Sequence, residues 1–169
     1  MLRIRPRFPD FPAAMKLRVV ALGQRMPAWV DAGWDDYARR MPREFALELV
    51  LLKPESRDGG KPVAQMLAAE ALRITAACKN ARVVALDERG QPWTTRVLAE
   101  NLSRWRAEAR DIAFVIGSAD GLADTVKRDA TAIVALSALT LPHGLVRVVV
   151  AEQLYRAVSL LSRHPYHRE

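Results

Sequence analysis

All three histidines of the chain, His143, His164 and His167, fall within its last 27 residues. Imidazole changes charge nearest to neutral pH, so such a cluster invites reading as an acid, a base or a set of metal ligands. A metal site is a poor fit. Pro165 separates His164 from His167, no cysteine is near, and Glu169 is the only carboxylate of the tail. A zinc site needs three or four converging ligands. The tail His164-Pro165-Tyr166-His167-Arg168-Glu169 instead interleaves aromatic and basic side chains, which can stack on a base and hold a phosphate. Upstream, Arg147, Arg156 and Arg163 punctuate an apolar stretch, and Glu152 precedes Arg156 at the spacing of a helical ion pair.

Three further segments could take a ligand: Leu86-Asp87-Glu88-Arg89-Gly90, Ile116-Gly117-Ser118-Ala119-Asp120-Gly121, and Leu136-Ser137-Ala138-Leu139-Thr140-Leu141-Pro142-His143. Each follows an apolar run that reads as a strand, and open α/β sheets bind ligands beyond the carboxyl ends of their strands. Glycines in two of them let backbone approach a ligand closely. Small residues in the third leave room for a flat ring beside free backbone N–H and C=O groups. Spacing alone favours ordinary strand-to-helix turns. Named motifs are excluded: Ser118 directly follows Gly117, unlike the serine of G-x-S-x-G. Gly59-Gly60-Lys61 lacks the rest of a phosphate-binding loop, and no G-x-G-x-x-G follows a strand.

The elements that position these segments follow from periodicity. Residues 16–22, 45–52, 81–86, 112–116 and 132–136 read as strands, the third and fourth apolar enough to be buried on both faces. Helices are expected where Met26, Val30, Trp34, Tyr37 and Met41 recur, and again over Val63, Met66, Leu67, Ala71 and Ile74. A third follows Thr94 or Thr95 as cap, with Leu98, Leu102 and Trp105 on its stripe. A short helix is expected over 123–129 and a long, very apolar one over 145–162. The apolarity of that last helix asks for cover on most sides, part of which a second subunit could give. Strands alternating with helices imply a mostly parallel sheet covered on both faces. Residues 15–169 read as a single α/β domain, with no repeat or linker.

The chain has 169 residues and a formal net charge of +7. Residues 1–14 hold three arginines, one acid and three prolines without an apolar centre, which suits an extended, dispensable arm rather than a secretory signal. No apolar run reaches the ~20 residues that cross a bilayer. Cys78 stands alone, so no internal disulfide forms; a buried, inert thiol in a reducing cytoplasm is the expectation. The basic surplus suits a polyanion such as RNA.

The segments VALGQRMPAWVDAGWDDYARRMP, LDERGQPWTT, LSALTLPH and LVRVVVAEQLYRAVSLLSRHPYHRE together resemble the ribosomal RNA large-subunit methyltransferase H family of the SPOUT superfamily, from Met15 to Glu169. The resemblance implies an α/β fold with a C-terminal trefoil knot, a topology that general folding rules disfavour. It implies a cytoplasmic homodimer that methylates N3 of a pseudouridine in 23S ribosomal RNA of the ribosome, with S-adenosyl-L-methionine as methyl donor and no metal. Carried over by position, the cofactor contacts would be Leu86, Gly117, Leu136, Ser137, Ala138, Leu139, Thr140 and Leu141. The catalytic candidates are His143, Arg156, Tyr166 and His167, the last three engaging RNA, with Arg147 a further cation. Ser118, Ala119 and Asp120 depart from the family's second glycine and Pro-Glu, and Gly144 from its usual proline. Two other readings compete: a related SPOUT enzyme acting on another RNA, and a non-enzymatic RNA-binding ribosome-assembly factor.

Overall fold

A computed structural model describes residues 14–23 and 25–168. Of the residues read as an N-terminal arm, only Ala14 is among them, and Glu169 lies outside the described residues. Five strands form one sheet in the order β2-β1-β4-β3-β5, every neighbouring pair parallel: β1 (Leu17–Leu22), β2 (Leu47–Leu52), β3 (Arg82–Pro92), β4 (Ile112–Ile116) and β5 (Ala132–Ala135). The connecting helices are α1 (Ala28–Arg40), α2 (Val63–Ala77), α3 (Thr95–Arg106) and α4 (Asp124–Asp129), and α5 (His143–Leu161) follows the last strand.

Alternation along the strands sorts the helices onto two faces. Leu17, Val19, Ala21, Ile112, Phe114 and Ile116 meet α1, α3 and α5 through Trp34, Leu98, Leu102, Trp105, Leu154 and Val158. Val20, Leu22, Ala113 and Val115 point the other way, onto Ala71, Ile74 and Cys78 of α2 and Val126 of α4. Cys78 is buried, and burial pushes its thiol up to about 11, so it is unreactive near neutrality. Thr94 caps α3, its hydroxyl accepting the Val97 N–H at 3.2 Å.

The largest departure from the sequence expectation is in β3. Its first half pairs Leu86 with Val134; the chain then bulges through residues 87–90, and Gln91 pairs with Val134 again. A Cβ on Gly90 would stand 2.6 Å from the Val134 backbone, so this close pass over β5 requires glycine. Gly90-Gln91-Pro92 therefore continues the strand where punctuation alone suggests a turn. Two smaller differences matter. Arg43–Phe45 forms a 3-10 turn before β2, seating Phe45 in the core. And α5 begins at His143, directly after Pro142, rather than at Leu145.

Candidate active site

The carboxyl ends of β3, β4 and β5 open together into a cleft of about 380 Å³. Its walls include Leu86, Gly117, Leu136, Ser137, Leu139, Thr140, Leu141 and His143; Ala138 is exposed and is not among the lining residues. Seven of the eight residues expected to touch a cofactor thus converge, from three separate strand ends.

Each wall has a local cause. The turn at 117–121 closes on itself: the Gly121 N–H donates to the Ser118 carbonyl at 2.9 Å, and a Cβ on Gly117 would sit 2.4 Å from the Gly121 carbonyl oxygen. Gly121 takes φ +87°, a left-handed conformation natural to glycine. In the 136–142 loop the Ser137 hydroxyl accepts the Leu139 N–H at 2.9 Å, a local bond that sets the loop's curvature. Two ion pairs stand at the rim: Asp87 with Lys127 at 3.4 Å and Asp120 with Arg57 at 2.6 Å.

His143 opens α5 and is the one histidine in the cleft wall. Burial, then repulsion from Arg147 and Arg57, holds its imidazole below the usual histidine value. It is therefore neutral near pH 7 and able to accept a proton. Arg147, one turn further on, is enclosed: its Nη2 donates to the Gly23 carbonyl at 2.8 Å, and it is absent from the cleft wall. Its role here is to tie the end of β1 to α5.

Arg156 and Tyr166 lie at the other end of the same helix. Thirteen residues separate His143 from Arg156, ~20 Å along the axis. Arg156 donates to Glu152 at 2.7 Å and lies 4.8 Å over the Tyr166 ring. Tyr166 packs edge-on against Tyr155 at 4.7 Å; its hydroxyl donates to Glu152 at 3.2 Å and stands 3.5 Å from the Tyr37 hydroxyl. Burial and the Tyr37 contact raise the phenol far above its ordinary value, so Tyr166 is a proton donor in hydrogen bonds, not a base. The bond to Glu152 raises the Arg156 pKa, so its charge is permanent. His167 belongs to the 3-10 turn Pro165–Arg168, but its side chain is outside what the structure describes. One chain thus brings His143 to the cleft and leaves Arg156 and Tyr166 distant from it.

The family described as "Predicted SPOUT methyltransferase" matches residues 15–167. The chain belongs to the SPOUT methyltransferase family. A C-terminal trefoil knot is what that membership implies. "Ribosomal RNA large subunit methyltransferase H" proteins of Burkholderia mallei strain SAVP1 and Burkholderia pseudomallei strain K96243 are each 56% identical to it over 155 residues, covering 91% of this chain and 99% of theirs. The crystal structure of a "Probable Methyltransferase" from Bordetella pertussis Tohama I superposes with a TM-score of 0.57 at 22% identity, covering 85% of this chain and 95% of that one, and this likeness supports the fold.

This SPOUT chain also carries site residues that sequence reasoning passed over. Glu70 is almost fully buried and bonds to Ser118 in the cleft wall. The signal was present in α2, since Glu70 stands four residues from both Met66 and Ile74 on the buried stripe, whereas Val63 is exposed. No described helix is long and apolar enough to cross a membrane, and no described group of three His, Cys, Asp or Glu side chains could hold a metal ion.

Proposed function

We propose that this protein transfers a methyl group from S-adenosyl-L-methionine to N3 of a pseudouridine in large-subunit (23S) ribosomal RNA, acting on assembled ribosomes as a cytoplasmic homodimer. The observation that carries the reading is the 56% identity, over nearly the full length of both chains, to proteins named ribosomal RNA large subunit methyltransferase H. Residues 15–169 would be one methyltransferase domain and residues 1–14 a dispensable extension. The net charge of +7 suits a polyanionic substrate.

The cleft fits the cofactor in size and in chemistry. Pockets for ligands of this size measure roughly 300–1,000 Å³, and its walls combine leucines, small residues and tight turns with charged side chains, Asp87, Glu88, Arg89, Asp120 and Lys127. Leu86, Gly117, Leu136–Leu141 and the turn at 117–121 would hold it. When bound, S-adenosyl-L-methionine supplies an already electrophilic methyl group on a sulfonium. What remains for the chain is to orient the nucleophilic nitrogen and take its proton.

N3 of pseudouridine loses a proton as the new N–C bond forms. Neutral His143, in the cleft wall, would accept it. Arg156 and Tyr166 suit the other task, stacking on RNA and stabilising the anion that develops on the ring. The ~20 Å along α5 between His143 and Arg156 supports a homodimer in which the tail of one protomer faces the cleft of its partner.

Mass mapping of ribosomal RNA from cells lacking this protein tests the proposal. Loss of one methyl group from one pseudouridine of 23S RNA, restored by the gene and not by a His143→Ala copy, is the expected result. An unchanged 23S methylation map would overturn it.

A further inference from the structure

We propose that Glu70 is a positioning residue for the methyl-donor cleft, its buried carboxylate fastening the 117–121 turn to the 53–62 loop through Ser118. The inference rests on the cleft being the cofactor site.

Glu70 reaches the sheet from α2, on the face opposite α5, and is only 3% exposed. A carboxylate removed from water is costly unless hydrogen bonds replace its hydration. Both oxygens are used. Oε1 accepts the Glu55 N–H at 2.9 Å, and Oε2 accepts the Ser118 hydroxyl at 2.8 Å. Both donors are neutral and both belong to connecting segments rather than to helix or strand. A well-packed apolar residue at position 70 would serve the core better; a carboxylate there ties two loops that have no ladder to order them.

The two ties are not equivalent. Glu55 is already secured, its carboxylate held by Arg73 at 2.6 Å and Lys61 at 3.0 Å, with Arg73 also donating to the Lys53 carbonyl at 2.8 Å. The 53–62 loop is thereby clamped to α2 and gives Glu70 a fixed bearing. Among the described residues, Ser118 has no such second anchor. Its side chain bonds to Glu70, and its carbonyl takes the Gly121 N–H inside the turn. Beside the apolar packing of Leu122, the buried polar bond that reaches the turn from outside is therefore this hydroxyl–carboxylate bond. The Arg57–Asp120 pair also spans the two loops, but Arg57 is half exposed and such pairs contribute little.

The consequence is specific. Loosening the turn should weaken cofactor binding and leave the proton-accepting chemistry at His143 alone. Isothermal titration of S-adenosyl-L-methionine into the full-length protein is the measurement, with Glu70→Ala, Ser118→Ala, the double variant and Glu70→Gln. The two single alanine variants should each weaken binding about tenfold, and the double variant no more than Glu70→Ala, because both act on one bond. Glu70→Gln should stay within about threefold, since its amide can accept from Glu55 and donate to the Ser118 oxygen. In turnover, KM for the cofactor should rise in the alanine variants with kcat nearly unchanged. Amide exchange at residues 117–121 should quicken in both single variants, a readout that needs no ligand.

Binding within twofold of wild type in Ser118→Ala, which leaves the core of α2 intact, would overturn the proposal, as would additive losses in the double variant. If the wild-type protein binds no S-adenosyl-L-methionine, the methyl-donor reading fails instead. Exchange at 117–121 then still decides whether Glu70 holds the turn.

Discussion

The two ends of α5 are built on opposite principles. At its N-terminal end the cleft is made of backbone: tight turns at 117–121 and 136–142, leucine walls, and His143 as the one imidazole among them. At its C-terminal end the cluster is made of side chains, with Arg156 and Tyr166 gathered around Glu152, Tyr155 and Tyr37. A backbone-built wall recognises a ligand by shape and tolerates little change, as the 2.4 Å clearance at Gly117 shows. A side-chain cluster offers charge and stacking, which suit a polyanion with exposed bases. On the function proposed above, His143 and Arg156 would serve the two substrates from points on one helix ~20 Å apart, and a second protomer would join them.

The largest effect should come from the cleft end. Replacing His143 with alanine is expected to lower kcat about a thousandfold, the range of a lost general base. The affinity for S-adenosyl-L-methionine should stay within about threefold, because the leucine walls and turns are untouched. Stopped turnover assays on ribosomes and titration of the cofactor separate the two. A parallel collapse in binding would mean that His143 is part of the wall rather than the proton acceptor.

Removing residues 166–169 tests the other end and should cost about a hundredfold in methyl transfer, with cofactor affinity unchanged. Mixing this truncated protein with the His143→Ala protein then probes whether the ends meet between protomers. Random reassortment leaves one complete site in each mixed dimer, so activity should recover to about a quarter of wild type. No recovery would place both ends in the service of a single chain and break the comparison.

How much of this was legible in the sequence differs between the same two regions. The strands of the cleft region read directly, because Arg82–Leu86 and Ile112–Ile116 are short apolar runs buried in the middle of the sheet. The second half of β3 did not, since pairing Gln91 and Pro92 with Val134 and Ala135 is a tertiary event and Gly90 looks like punctuation. The phase of α2 was also obscured: a carboxylate on the buried stripe makes sense only once Ser118 and the Glu55 N–H are seen beside it. The Glu152–Arg156 pair was readable from spacing and is present at 2.7 Å. Which segments line the cleft was anticipated, through the rule that ligands sit beyond strand ends and through family resemblance. The distance between His143 and Arg156 was available too, from helix rise alone, and spacing by itself could not say that Tyr166 folds back onto α5.

The acid limb of the rate profile sharpens the role of His143. Its pKa lies below the usual histidine value, chiefly through burial and then through Arg147 and Arg57. If the neutral imidazole takes the N3 proton, kcat should be flat from neutrality down to that pKa and fall about tenfold per unit below it. Removing the Arg57 charge favours imidazolium, so Arg57→Ala should move the limb upward in pH. A limb that ignores Arg57 would assign the titration to another group.

The smallest expected effect tells most about the C-terminal end. Tyr166→Phe keeps the ring against Tyr155 and beneath Arg156 but removes the hydroxyl that donates to Glu152 and meets the Tyr37 hydroxyl. If the cluster serves mainly to order the tail through stacking, stability to urea should drop by only about 1 kcal/mol, the net worth of a partly exposed hydrogen bond. Methyl transfer should then fall less than about fivefold, while Tyr166→Ala approaches the loss seen on truncation. If the phenol itself donates to the anion forming on the base, the phenylalanine variant loses nearly as much activity as the alanine one with the same small change in stability. The ratio of the two variants therefore separates a tail that positions RNA from one that stabilises the reacting ring, and neither outcome touches the backbone-built cleft at the far end of the helix.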